Sequence, residues 1–390
     1  MRATRIIVTE FVRLIFVLPL LLPISLTRRL VYLFNHQERV FLGFGPVPIN
    51  LNHAKAVRHV GGLGESFSTH TYSIGGEIDV KIFSSNRLIN LIFRFLCIPY
   101  IVSIFRYTHL VFYFDGGALG HGSIFTWRFE SFLLKLAGVK SIVTAYGSDV
   151  HSTKLIKNLE LKNAYNFDYP NQWRRNKQIE SRIWYWSKNA DFILAGCDWV
   201  NYLPRWDRLV PSHFAIDTDS NSHLTGTNDS DVLRILHAPN HRNLKGTKAA
   251  EEAVSRLKAE GLDIDLTLLS GVSNARVLNE LGNHDLVIDQ LVIGWYAQFA
   301  IEALASGVPT ICYISQDYKS LYTNLYPDGV FELPFIEANT SNLVEVLRDY
   351  YFNRSSFEDL PNKGRAFVKT FHSYDQIGNL FLDIAKSLSR

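Results

Sequence analysis

Cysteine is scarce in this chain and has no partner pattern. Cys97, Cys197 and Cys312 lie far apart, with no Cys-x2-Cys spacing. That excludes a disulfide framework and a cysteine-held zinc site, and it fits a reducing compartment. A second absence is the Gly-x-Gly-x-x-Gly loop. The first strand runs into RVFLGFGPVPIN (39–50), which offers Gly43 and Gly45 but not the full pattern. A nicotinamide dehydrogenase is thereby disfavoured. No Asp-x-Asp motif is read at a strand end, so no carboxylate pair is expected to hold a divalent ion. No short-period repeat and no low-complexity tract interrupts the chain. Long apolar runs are also lacking near the amino terminus. Leu14 to Leu26 (LIFVLPLLLPISL) is 13 residues, and a membrane-spanning helix needs about 20. Pro19 and Pro23 are expected to kink it. No small-x-small cleavage site follows clearly, which favours a retained segment over a cleaved signal.

What is present begins with length. A chain of 390 residues is comfortable for two domains. The net charge of +3 hides an asymmetry: residues 1–220 hold 25 Lys/Arg against 16 Asp/Glu, and residues 221–390 hold 15 against 21. The basic half suits an anionic surface or substrate, although a solvated basic face accounts for it equally well. Arg13, Arg28 and Arg29 flank the apolar segment. The preferred reading is an interfacial anchor. A helix packed on the domain surface and a tilted span over 11–34 stay open. LINLIFRFLCIPYIVSIFRY (88–107) is apolar nearly all round, so it is either a core helix or one that lies against lipid.

Strands and helices alternate along most of the chain, which argues an α/β fold with doubly wound parallel sheets. Five regions follow. An apolar and basic segment covers 1–35. A first Rossmann-like domain covers 36–218. DTDSNSHLTGTNDSD supplies the one clear linker, placed at 219–231. A second Rossmann-like domain covers 232–373. A last helix is read over 374–390, with a crossing back to the first domain left open. Residues 151–170 read as polar and irregular.

Two segments carry the chemistry. HAPNHRNLKGT (237–247) places Arg242 and Lys245 between an apolar strand and a helix. There, at the carboxyl end of a strand and the amino end of a helix, α/β sheets hold anionic ligands. DQLVIGWYAQFAIEALASGVPTICYI (289–314) puts Glu302 on an otherwise apolar helix, where a carboxylate is costly unless paired or bound to hydroxyls. A cation pair for a diphosphate and a carboxylate for sugar hydroxyls together make a nucleotide-sugar site. Asp289 and Gln290 end a strand that points into the same cleft. In the first half, Gly43 and Gly45 stand in a loop after a strand that suits a binding loop or a plain tight turn equally, and His121 and Asp149 stand in later loops.

These segments resemble the donor-binding domain of retaining glycosyltransferases of the GT-B fold, the family 4 group that includes many bacterial polysaccharide enzymes. The resemblance implies that Arg242 and Lys245 contact the donor diphosphate. It implies that Glu302, the second Glu of a Glu-x7-Glu pattern, binds the nucleotide ribose. The first Glu of that pattern is replaced by Gly294, and Asp289 is the nearest carboxylate that could stand in. KSIVTAYGSDVH resembles the family's His-Gly-x-Asp loop near the acceptor, with Tyr146 in the His position. Asp149, or His121, is then the candidate for positioning or deprotonating the acceptor hydroxyl.

The expectation is a metal-independent, retaining transferase with no cofactor beyond its nucleotide-sugar donor. Its acceptor would be lipid-linked or a polysaccharide, and it would be cytoplasmic, on the inner face of the cell membrane. No nucleic-acid partner is expected. A nucleotide-sugar epimerase of the same architecture is one alternative. A degenerate binding or scaffold protein is another, favoured by Gly294 and Tyr146.

Overall fold

The computed structural model describes residues 2–34, 39–43, 48–69, 78–120, 123–218 and 232–389. Gly45, His121 and the linker at 219–231 lie outside the described residues.

Two parallel sheets form the frame. The first contains β1 (Val40–Leu42), β2 (Gly64–Ser68), β3 (Val80–Lys81), β4 (His109–Tyr113), β5 (Lys140–Thr144), β6 (Phe192–Ala195) and β7 (Arg208–Leu209). Their order is β3-β2-β1-β4-β5-β6-β7. The second contains β8 (Leu233–His237), β9 (Ile264–Leu268), β10 (Leu286–Gln290), β11 (Thr310–Cys312) and β12 (Ile336–Glu337), in the order β12-β11-β10-β8-β9. The central strands β4 and β10 are buried at every position, as strands covered by helices on both faces must be. Strand order reverses between β1 and β4 in the first sheet and between β8 and β10 in the second. Loops leave such a point in opposite directions and open a crevice at the carboxyl ends of the strands.

The two halves are joined by the chain and by side chains. Ile216 and Ser373 form a parallel bridge where the two crossing segments pass. His372 Nδ1 donates to the Phe214 carbonyl at 3.1 Å. Trp295 Nε1 donates to the Pro211 carbonyl at 2.9 Å. The last helix, Tyr374–Ser389, lies on the Pro48–His59 helix of the first half, with the Phe381 and His53 rings 4.7 Å apart. Gly378 is required at this crossing, because a Cβ there would stand 2.2 Å from the Ala56 carbonyl oxygen.

The amino-terminal segment is longer and straighter in secondary structure than its sequence suggests. Helix continues from Arg2 to Phe34 through a π-helical turn at Arg13–Val17. Pro19 has no N–H for the carbonyl four residues back. The stretch before it winds with wider bonds, such as Leu18 N to the Arg13 carbonyl, so the chain stays helical instead of breaking. Ile7–Tyr32 is long and apolar enough to cross a membrane, which corrects the judgement that this segment is too short. One face, Glu10, Arg13, Val17, Leu21, Ser25 and Arg28, is buried against the first half. Glu10 accepts from Ser123 Oγ at 2.8 Å and from the Ile124 and Phe125 amides at 3.1 Å. Arg13 pairs with Glu10 at 2.5 Å. Ser25 Oγ lies 2.9 Å from the Tyr100 hydroxyl. The 88–107 stretch divides into two helices, Arg87–Phe95 and Ile98–Arg106, bent by 65° at a left-handed Cys97. The first has no buried residue, so it is not a core helix.

Candidate functional site

The site in the second half is built from the end of β8. His237, the last residue of that strand, is fully buried. Its Nδ1 donates to the Ile288 carbonyl at 2.8 Å, which leaves Nε2 to accept from the Thr247 hydroxyl at 3.0 Å. Burial drives its pKa down to about 4, so it is a neutral strut between strand end and helix start. The loop between them is wound by backbone bonds, Lys245 N to His241 O at 3.0 Å and Thr247 N to Arg242 O at 2.9 Å. Gly246 holds φ +73, and a Cβ there would meet Leu291 at 2.8 Å. Only glycine fits both constraints.

β10 supplies the partner. Its register with β11 shifts between Ile288 and Gln290, so Asp289 is the extra residue of a bulge. Bulges re-aim a side chain, and this one turns the Asp289 carboxylate to Lys245 Nζ at 2.6 Å. The second Asp289 oxygen accepts from the Ala297 amide at 3.0 Å, at the start of the Gln298–Ala305 helix. Both ends of the Lys245–Asp289 pair are buried. Arg242, on the same loop, points to Glu251 at 2.7 Å and is half exposed. Glu302 is buried and accepts from Asn274 Nδ2 and Gln298 Nε2, each at 3.2 Å. Desolvation, with a smaller contribution from Asp289, lifts its pKa to about 7. Lys245, Asp289, Glu302 and the Arg242 loop therefore converge at the β8/β10 crevice.

Gly294 holds φ +93 with Ser315 and Tyr313 close to where a Cβ would stand. The turn after β10 is thus built for glycine, and a Glu at this position would be strained. Gln290 organises that turn, accepting from the Val292 and Ile293 amides and donating to the Trp295 carbonyl.

The described first-half candidates, Gly43 and Asp149, follow the ends of β1 and β5. Asp149 is buried and spends both oxygens on backbone amides: Phe114 at 3.1 Å, Tyr146 at 3.0 Å and Gly147 at 2.9 Å. Burial and the nearby Asp115 carboxylate raise its pKa to about 8. It ties the ends of β4 and β5 together, with both carboxylate oxygens already accepting amides. Asp115, half-buried in the loop after β4, accepts from the Tyr146 hydroxyl at 3.0 Å. Gly43, at the β1 turn, holds φ +87, and a Cβ would fall on Asn50. Asn50 Oδ1 in turn accepts from the Tyr113 hydroxyl at 2.5 Å.

Three features were not read from the sequence. His151 Nε2 faces Asp198 Oδ2 at 2.6 Å while its Nδ1 meets the Tyr165 hydroxyl, all buried at the carboxyl ends of β5 and β6. Asp168 accepts from Asn243 Nδ2 at 2.7 Å and from the Leu244 amide at 2.8 Å. Tyr169 adds a hydroxyl bond of 2.6 Å to His241 Nε2. The first half therefore holds the Arg242–Lys245 loop. Asp168 ends a helix, Leu159–Asp168, inside the stretch read as irregular; the available signal was Asn158, whose Oδ1 caps Glu160 and Leu161.

Among the described residues no group of three or more His, Cys, Asp and Glu is placed to hold a metal ion. Asp-x-Asp triplets do occur in the chain, at 217–219 and 229–231 around the linker and at 263–265. The last stands at the amino end of β9, where Asp265 pairs with Lys258 at 2.5 Å.

Two Rossmann-like sheets with their carboxyl-end crevices and a returning carboxyl-terminal helix define the GT-B fold. Solved structures agree at this level. Sucrose-phosphate synthase from Thermosynechococcus elongatus superposes with a TM-score of 0.53 at 13% identity, covering 90% of this chain and 99% of that one. WaaG, a glycosyltransferase involved in lipopolysaccharide biosynthesis, gives 0.50 at 12% identity, covering 88% and 98%. No protein-family model matches the sequence, and no curated protein matches it.

Proposed function

We propose that this chain is a glycosyltransferase that moves a sugar from a nucleotide-diphosphate donor to an acceptor presented at a membrane surface. The observation that carries the reading is the convergence of Lys245, Arg242 and Glu302 at the strand-order reversal of the second sheet. Transfer builds charge on the leaving diphosphate, and fixed cations beside a helix amino terminus stabilise it. Lys245 supplies a point charge and Arg242 a planar fork. A bound diphosphate would share Lys245 with Asp289 and draw Arg242 from Glu251. Glu302, with its two amide neighbours, would take the ribose hydroxyls. In this proposal Arg242 and Lys245 supply the counter-charge without a metal, and the outcome is retaining.

The membrane part rests on the outward face of the amino-terminal helix. Phe11 and Phe16 are 62% and 65% exposed, and Ile7, Val8, Ile15, Leu20, Leu26 and Leu30 are exposed beside them. Leu88, Leu91 and Ile92 extend the apolar surface. A patch of this extent marks an interaction site. Because the opposite face is bonded to the first half along its length, the helix lies along the membrane surface rather than across it. That position would bring lipid-linked acceptors to the cleft.

Gly294 and the engaged oxygens of Asp149 favour a second reading, a sugar-nucleotide-binding protein without turnover. One experiment separates them. Nucleotide sugars with uridine, guanosine and adenosine bases are screened by thermal shift, and the best binder is assayed for transfer to a membrane-lipid extract in EDTA. A stabilising donor with chelator-resistant transfer supports the enzyme. Stabilisation without transfer supports the binding protein, and no stabilisation by any nucleotide overturns both.

A further inference from the structure

The loop that carries Arg242 and Lys245 has a third side chain able to meet a phosphate. His241 stands immediately before Arg242 and is half-buried. Its backbone carbonyl accepts from the Lys245 amide at 3.0 Å, so both side chains leave the same turn of chain. Burial holds the His241 pKa below its ordinary value; the Asp168 carboxylate opposes this, and the Lys245 charge adds to it. The ring is therefore a neutral group within the field of Lys245.

What holds the ring comes from the other half of the molecule. The Tyr169 hydroxyl and His241 Nε2 share a hydrogen bond of 2.6 Å, with the two rings 4.7 Å apart. Tyr169 stacks on Tyr165 at 5.3 Å and an interplanar angle of 24°. Tyr165 is buried, and its hydroxyl meets His151 Nδ1. The other ring nitrogen of His151 faces Asp198 at 2.6 Å, and the ring packs edge-on against Tyr202 at 4.8 Å. The Leu159–Asp168 helix that leads into Tyr169 is fastened to the second half at both ends. Glu160 accepts from the Thr340 hydroxyl at 2.6 Å, and Asp168 from Asn243 and the Leu244 amide. A buried polar network of this kind rigidifies what rests on it. Here it gives His241 one orientation. Among the described residues His241 Nδ1 has no hydrogen-bond partner, so one ring nitrogen is left for a ligand.

We infer that His241 is a third ligand of the donor diphosphate, through Nδ1, and that Tyr169 is the residue that positions it. With the Tyr169 hydroxyl donating to Nε2, Nδ1 carries the ring proton and donates to a phosphate oxygen. Lys245 then meets the diphosphate from the β10 side of the loop, and His241 from the side that faces the first half. The inference rests on the nucleotide-donor reading and adds that the first half helps to build the diphosphate subsite.

The test is titration of the full chain with uridine, guanosine and adenosine diphosphates by calorimetry, and with the matching nucleosides by ligand-observed NMR. His241→Asn should weaken diphosphate binding about tenfold, the equivalent of one bond to a charged group, and should leave nucleoside binding unchanged. Tyr169→Phe keeps the stack on Tyr165 and loses only the hydroxyl. It should weaken diphosphate binding about threefold, and should add nothing further in the His241→Asn background. Unchanged diphosphate affinity in His241→Asn would overturn the inference. Equal losses for the diphosphate and the nucleoside would overturn it as well, since they would mark a general disturbance of the loop. Additive losses from the two substitutions would remove Tyr169 from the positioning role. The His241→Asn comparison stands even if Tyr169→Phe lowers the melting temperature. If the wild-type chain binds none of the diphosphates, it is the donor reading that fails, and this inference fails with it.

Discussion

Lys245 and Arg242 differ more in their surroundings than in their charge. Lys245 is locked to Asp289 with both ends buried, and removing one partner of such a pair costs about 3–5 kcal/mol. Arg242 is half exposed beside an exposed Glu251, a pairing worth at most about 1 kcal/mol. Arg242→Ala is therefore the clean probe of the diphosphate clamp. It should leave the melting temperature nearly unchanged and weaken donor binding by roughly 1.5–3 kcal/mol, measured by titration calorimetry. Lys245→Ala should lower stability before any ligand is added. Glu302 offers a pH test. Its carboxyl has a folded pKa near 7 against an ordinary value of 4.5. Raising the pKa of an acid means that the protein favours the neutral form. The stability this group contributes is whole below about 4.5 and is lost as pH rises through 7. The loss is on the order of 3 kcal/mol. Glu302→Gln should remove that part of the pH dependence between pH 5 and 8 in denaturant titrations. Identical pH slopes in both proteins would show that burial does not perturb this carboxyl.

At the scale of elements, the amino-terminal helix has two unlike faces. The inner one joins Glu10, Arg13, Ser25 and Arg28 to the first half. Deleting it would leave Tyr100, Ile104 and Leu134 without cover, so truncation is expected to produce an insoluble chain. The outer face can be changed without that damage. Each large apolar side chain buried in lipid contributes roughly 1.5–3 kcal/mol. Phe11→Ser combined with Phe16→Ser and Leu20→Ser should therefore reduce vesicle binding by at least a hundredfold at an unchanged melting temperature, as followed by vesicle flotation. Retained binding would place the membrane contact elsewhere. The sequence pattern alone showed an apolar run with prolines. It could not show that the run extends as helix from Arg2 to Phe34, because the π-helical turn that accommodates Pro19 has no signature in residue types.

Across the whole molecule, the two halves share the Arg242–Lys245 loop. Asp168, at the end of a first-half helix, holds Asn243 and the Leu244 amide of the second. The bonds order the loop before ligand arrives, and pre-ordering lowers the entropy cost of binding. Asp168→Ala should raise the donor dissociation constant about tenfold, the equivalent of one charge-assisted bond, with little change in the pH profile. An unchanged constant would show that the loop is ordered by its own half. The alternation of apolar strands with amphipathic helices set the α/β class and the two parallel sheets, since period and composition are local properties of the chain. The Lys-Gly loop and the lone carboxylate on the Gln298–Ala305 helix were legible for the same reason. Tertiary structure alone decided that a bulge aims Asp289 at Lys245, that Asp149 braces two strand ends, that Gly294 serves a left-handed turn, and that Asp168 and Tyr169 reach the opposite half. Each depends on groups far apart in the chain meeting in space, and no local pattern of residue types encodes that meeting.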